Sequence, residues 1–253
     1  MLAHSIHGRS LGSTRIAFVH GFTQTRQSWD SLLGHLPDTY QFVTIDAPGH
    51  GESPSAAIDL DQAVNQVVTT AGSAVYCGYS MGARICLHAA LAHPESVIGL
   101  VLISGTAGID DHTERDLRRN ADQQLAQHIL DIGVNAFVDE WLAQPMFSTL
   151  PRDDEDRALR RTNTTSGLAN SLITAGTGSQ QPLWNRLGEL RMPVLIIAGA
   201  DDLKFAELAE RLHRSIPTSQ LELIQNAGHV VHYEQPLVVA SLLQRWLSSR
   251  GFK

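Results

Sequence analysis

Short apolar runs alternate along most of the chain with longer amphipathic stretches. The runs, at residues 2–8, 15–22, 41–46, 74–79, 97–104, 193–199 and 220–224, are too short for ordinary helices, and most are dense in Val, Ile and Leu. They read as strands, buried on both faces where the run is unbroken. Between them, residues 29–36, 60–70, 81–93 and 237–247 place apolar positions at helical spacing. Strands alternating with helices predict an α/β fold: a mostly parallel sheet with helices on both faces and its active groups at the carboxyl ends of the strands. From residue 106 to about 190 strand-like runs vanish. Charged helical segments at 110–132, 134–142, 153–162 and 167–176 take their place, with Pro145, Pro151 and Pro182 as breaks. This stretch reads as a helical cap, residues 106–190, inserted into a core made of residues 1–105 and 191–253.

Bulk properties narrow the class. A chain of 253 residues can bury one full core with an insertion. No apolar stretch reaches the length of a membrane helix, and residues 1–7 lack the basic start and long apolar region of a secretory signal, so the expected compartment is the cytoplasm. Cys77 and Cys86 fall on an expected strand and helix, where free cysteine acts as a small apolar residue, and no disulfide framework is expected. A net charge of −7 gives no electrostatic reason to expect nucleic acid or an anionic membrane as partner. Any anionic substrate must therefore be met by local cations.

The chemistry centres on Gly78-Tyr79-Ser80-Met81-Gly82, a G-x-S-x-G pentapeptide between the run at 74–79 and the helical spacing that starts at Met81. Strand, strained turn and helix together present a serine hydroxyl at the sheet's edge, and glycines remove the side chains that would clash there. A serine hydroxyl is a weak nucleophile and base at neutral pH. It needs an imidazole to take its proton and a carboxylate to fix the ring's tautomer. Asp202 and His229 follow later strands in the order Ser, Asp, His that this turn requires, and Asp201 and His232 are the neighbours most easily mistaken for them. Asp46 and His50 precede the serine and read as residues that hold a Gly- and Pro-rich loop. The His20-Gly21 break places Phe22 in the loop after an early strand, so Phe22 and Met81 are the expected oxyanion-hole N–H donors.

With His20-Gly21, the G-x-S-x-G turn and Gly228-His229, the chain resembles the α/β-hydrolase superfamily over nearly its whole length. Its expected cap is more specific: Trp141 to Leu150, Arg161-Thr162-Asn163 with Gly167-Leu168-Ala169, and Gly176-Thr177-Gly178 resemble the 2-succinyl-6-hydroxy-2,4-cyclohexadiene-1-carboxylate synthases of menaquinone biosynthesis. Tyr79, Arg84, Arg118 with Asp122, and Lys204-Phe205 extend the likeness. It implies a lyase without metal or redox cofactor, in which Ser80, activated by His229 and Asp202, removes a ring proton and pyruvate is eliminated from 2-succinyl-5-enolpyruvyl-6-hydroxy-3-cyclohexene-1-carboxylate. It also implies that Arg84, Arg118 and Arg161 bind the carboxylates of this small-molecule substrate, with Tyr79 and Trp141 lining the pocket. Guanidinium forks suit carboxylates.

Charge spacing sorts these arginines. Arg118 has Glu114 and Asp122 at four residues' distance, Arg157 has Asp153 and Arg160 has Asp156, so the last two read as a solvated helix face. Arg161 has no acid at that spacing and is the better ligand candidate. Arg84 falls in the first turn of a helix, where a cation opposes the dipole and an anionic ligand would explain it. Trp141 serves equally well as cap core. Ala83, where a second glycine is common, and Asn120, where some relatives carry a basic residue, depart from the pattern without removing a catalytic group. Two other readings compete: a serine hydrolase that cleaves an ester or carbon–carbon bond through a Ser80 acyl enzyme, and a non-enzymatic binding protein, for which loss of a triad member would be expected.

Overall fold

The computed structural model describes residues 1–8, 12–54 and 56–253. Its single sheet has seven strands: β1 (His4–Gly8), β2 (Arg15–Val19), β3 (Gln41–Ile45), β4 (Ala74–Tyr79), β5 (Val97–Ile103), β6 (Val194–Gly199) and β7 (Ser219–Ile224). They lie in the order β1-β3-β2-β4-β5-β6-β7. Only β1 runs antiparallel, pairing His4 with Ile45 through Gly8 with Gln41, and the other five pairings are parallel. Every residue of β3, β4 and β6 is buried, as expected of strands covered on both sides, whereas the outermost strands β1 and β7 are only partly covered.

Helices cover both faces. One layer holds α2 (Leu60–Ala71), α3 (Met81–Ala92) and α7 (Leu203–Ser215), and the other holds α1 (Asp30–Leu33), α8 (Val231–Glu234) and α9 (Pro236–Ser249). Full burial of a Leu, Ile or Phe side chain is worth about 1.5–3 kcal/mol. Two such faces give the frame a reserve that can hold strained loops at its edge. The expected helix at 29–36 is shorter than its pattern: a 3-10 turn (Arg26–Trp29) passes into the four residues of α1, which buries only Leu32. No helix is expected from residues 203–215, yet α7 carries Phe205, Leu208, Ala209 and Leu212 at helical spacing and buries Ala209 and Leu212.

Between β5 and β6 the described chain is helical: α4 (His112–Leu142), α5 (Asp154–Arg160), α6 (Thr165–Ala175) and 3-10 turns at Pro145–Phe147 and Trp184–Glu189. The break expected near residue 133 is a kink inside α4, where Gly133 has φ 78°. A left-handed backbone angle of that kind favours glycine. A small core of Ala126, Ile129, Phe137, Leu168, Ala169 and Leu172 ties α4 to α6. No helix among the described residues is long and apolar enough to cross a membrane.

Candidate active site

The turn after β4 is built by what its glycines lack. Ser80 has φ 52° and ψ −107°, outside the regions open to most L-residues, and its N–H is held by Ile103 O at 2.9 Å. A Cβ on Gly78 would run into the Gly82 carbonyl, and one on Gly82 into that of Val19. Only glycine at both positions lets β4, α3 and β2 close around the serine. Among the described residues, all four non-glycine residues with positive φ (Thr23, Ser80, Ser104 and Asn226) lie in the loops after β2, β4, β5 and β7. Such conformations cost about 1–3 kcal/mol each and persist where the surroundings over-determine them.

Two of these loops, after β4 and β7, together with the loop after β6, deliver the proton-transfer groups. His229 Nδ1 lies 2.8 Å from Asp202 Oδ2, and its Nε2 lies 3.2 Å from Ser80 Oγ. A carboxylate only accepts, so Nδ1 carries the proton and Nε2 is left to accept one from the serine hydroxyl. Asp202 also caps α7, accepting from Phe205 N–H at 3.3 Å through its other oxygen. Ser104, a residue without a motif to mark it, donates to His229 O at 2.8 Å and pins the histidine's main chain. The neighbours stand elsewhere: Asp201 is exposed, and His232 is buried between Trp29 and Tyr79 with no partner for either ring nitrogen. Asp46 and His50 hold their loop as expected. Asp46 accepts from the N–H groups of Arg26 and Glu52, and His50 donates to Pro48 O.

Ser80 and His229 open into a cavity of about 420 Å³ that Phe22, Met81, Arg84, Arg118 and Trp141 also line. Met81 is the first residue of α3, so its N–H has no acceptor within the helix. Trp141 packs against Phe22 and Phe137, joining pocket wall to helical core. Arg118 is held through Nε by Asp122 Oδ1 at 2.7 Å, and Asp122 in turn accepts Gly178 N–H at 3.1 Å. Arg84 is 6% exposed, and among the described residues it donates only to the neutral acceptors Gln180 Oε1 and Ala175 O, at 3.2 and 3.0 Å. Burial and the charge of Arg118 bring its guanidinium down to about 10 against the pull of Asp122, so it remains a cation at neutral pH. A buried charge ordinarily has a bonded counterion. Arg84 has a cavity instead.

Two expected pocket residues are not there. Tyr79 is buried behind the histidine, its ring 5.4 Å from that of His229, and it supports the imidazole rather than facing the cavity. Arg161 is bound by both carboxylate oxygens of Asp139, each at 2.8 Å, outside the cavity lining. Its partner stands 22 residues earlier, on α4, beyond any test of helical spacing. The solvated-face reading is corrected for Arg160, and for Arg157, which stays solvent-facing, in its partner alone. Arg157 pairs with Asp139, not Asp153, while Arg160 is 2% exposed and buried with Asp156 at 2.7 Å. The cation that the spacing argument did not single out is Lys204. It lines the cavity from the first turn of α7, with no carboxylate partner among the described residues, against the same unfavourable dipole as Arg84. Among the described residues no group of three His, Cys, Asp or Glu could hold a metal ion.

The buried histidines behind the site carry a stability prediction. His20 accepts Ala47 N–H on Nε2 and donates to Gly21 O through Nδ1, which is the neutral form. Burial lowers His20 from 6.5 to about 4, and His50 and His232 to about 3. Their folded values lie below the unfolded one, so the stability they contribute is intact above pH 6.5 and is lost as pH falls toward 3–4. With three such groups the slope approaches about 4 kcal/mol per pH unit. Urea unfolding from pH 7 to 4.5 is expected to show this fall, and a flat profile would refute it.

The chain matches the profile of the Alpha/beta hydrolase family over residues 16–242. It is 38% identical to a Bacillus subtilis (strain 168) protein provisionally named 2-succinyl-6-hydroxy-2,4-cyclohexadiene-1-carboxylate synthase, over 94% of this chain and 91% of that one. The synthase of that name from Enterobacter sp. (strain 638) is 31% identical, over 93% and 92%. The solved structure of MenH from S. aureus superposes with a TM-score of 0.90 at 29% identity, covering 99% of this chain and all of that one. A thermophilic esterase from Thermogutta terrifontis, at 23% identity and a TM-score of 0.81, shares the fold.

Proposed function

We propose, from the premise that this chain belongs to the alpha/beta hydrolase family and within it to the 2-succinyl-6-hydroxy-2,4-cyclohexadiene-1-carboxylate synthases, that it is a lyase eliminating pyruvate from 2-succinyl-5-enolpyruvyl-6-hydroxy-3-cyclohexene-1-carboxylate. The observation that carries this reading is Arg84, a buried cation without a bonded carboxylate, facing the cavity that Ser80 and His229 also line. A neutral ester would leave that charge uncompensated. A substrate with several carboxylates would pair it, together with Arg118 and Lys204.

The chemistry runs through the hydrogen-bonded relay. His229 Nε2 takes the Ser80 proton, and the serine oxygen removes the ring proton made acidic by the neighbouring succinyl carbonyl. Charge developing on that carbonyl oxygen is met by the N–H groups of Phe22 and Met81. The electron pair shifts across the ring double bond and breaks the carbon–oxygen bond to the enolpyruvyl group. The departing oxygen takes the proton from His229, and the enol becomes pyruvate. No acyl enzyme forms, and no step calls for a metal or redox group. In this reading residues 106–190 act as a cap, supplying Arg118 and Trp141, while residues 1–105 and 191–253 supply the relay.

The same 3.2 Å approach of Ser80 Oγ to His229 Nε2 would also serve a hydrolase forming an acyl enzyme at Ser80. The test is turnover of the polycarboxylate substrate, followed as pyruvate release, beside a short-chain p-nitrophenyl ester. Fast release with little ester cleavage is expected, and ester cleavage without elimination would overturn the lyase reading. Arg84→Met is expected to raise KM or lower kcat for the polycarboxylate about 10–100-fold, the worth of a charged hydrogen-bonded pair, and to leave the ester almost unaffected. Equal loss on both substrates would make Arg84 structural.

A further inference from the structure

The loop that carries Phe22 is a turn closed by Gln24 N–H donating to Gly21 O at 3.2 Å, and its third residue, Thr23, has φ 68°. That position favours glycine. A β-branched residue there is an outlier, and Thr23 is fully buried yet outside the cavity lining. The groups that grip it come from α5 and the residues just after it. Arg160 Nη1 donates to Thr23 Oγ1 at 2.6 Å, while Asn163 Nδ2 donates to Thr23 O at 2.6 Å and to Arg160 O at 2.8 Å. The remaining oxygen of Asn163 accepts Gly51 N–H at 2.8 Å. Four residues on, Gly167 meets Gly49 so closely that a Cβ on either would strike the other's carbonyl. On the opposite side of the turn, Gly21 N–H is held by Gln24 Oε1 at 3.1 Å and its carbonyl by His20. Phe22 N–H itself donates no hydrogen bond among the described residues.

We propose that Arg160 and Asn163 are positioning residues that act through Thr23 to aim Phe22 N–H at the substrate's developing oxyanion, so that the helical insertion must be docked for the oxyanion site to be complete. The role rests on the oxyanion assignment made for the lyase. It accounts for the absence of glycine at a glycine-favouring position: the Thr23 hydroxyl gives Arg160 an acceptor that glycine would lack. It also accounts for a buried guanidinium that the relay and the cavity do not use.

Steady-state kinetics of pyruvate release test it. Thr23→Gly removes the hydroxyl while relieving the positive-φ strain, so the fold is retained. Its kcat is expected to fall about 10–100-fold, the effect of displacing one oxyanion donor by about an ångström, with KM within about twofold. Thr23→Ser, which keeps the acceptor, is expected to restore most of kcat. Asn163→Ala is expected to lower kcat in the same way, and the double variant Thr23→Gly/Asn163→Ala to lose less than the product of the two, because both act on one loop. A Thr23→Gly protein with kcat within twofold of the parent overturns the proposal, as does an equal loss in Thr23→Ser. Ser80→Ala measured alongside keeps the two readings apart: turnover surviving in that variant overturns the relay, whereas the kcat of Thr23→Gly decides the positioning role.

Discussion

Alanine at Ser80 is expected to lower pyruvate release at least about 10⁴-fold, with the thermal unfolding midpoint within a few degrees of the parent. The hydroxyl lines the cavity 3.2 Å from His229 Nε2, and its removal leaves the imidazole without the atom that would take the substrate's proton. Members of such a relay act as a unit, so loss of one costs about as much as loss of all, and the residue of catalysis comes from binding and oxyanion donors. The strain at φ 52° is unchanged, because alanine meets the same Cβ restriction as serine. Substrate affinity is expected to persist, since Arg84, Arg118 and Lys204 are untouched. A variant within tenfold of the parent kcat would remove Ser80 from the mechanism.

What the sequence made legible follows from the range of the interactions involved. Each buried strand is written locally, in a run of apolar residues, whereas the outermost strands β1 and β7 carry a weaker, mixed pattern. The elbow is local too: Gly78 to Gly82 span five residues, and a Cβ on Gly78 would strike the Gly82 carbonyl. The relay could be read across 149 residues because the order Ser, Asp, His and the strand ends confine each member to one loop. The cations could not be read that way. Arg161 looked unpaired only because its acid lies on another helix, and Arg160 looked solvated because its pairing with Asp156 hides that Thr23 and the core enclose both. Helical spacing reports partners within a turn; it is blind to what two helices share. Lys204, noted only as part of the family likeness, could not be placed at the cavity for the related reason that its position depends on where α7 packs and not on its neighbours in sequence.

Asparagine at Asp202 separates two jobs that the aspartate performs with different oxygens. Oδ1 caps α7 at Phe205 N–H, and Oδ2 receives the proton on His229 Nδ1. Asparagine is as good an N-cap as aspartate, so the helix and the fold are expected to hold. With its carbonyl at the cap, the amide NH₂ faces Nδ1. A donor there forces the imidazole into the other tautomer, with the proton on Nε2 facing Ser80 Oγ, where it can no longer accept the serine's hydrogen. The loss expected is about 10³–10⁴-fold in kcat, close to that of removing Ser80, with little change in KM or unfolding midpoint. Asp202→Ala should lose the same activity and, in addition, about 1 kcal/mol of stability from the missing cap. If Asp202→Asn instead kept most of its turnover, the carboxylate would be a cap alone, and another group would have to set the tautomer of His229.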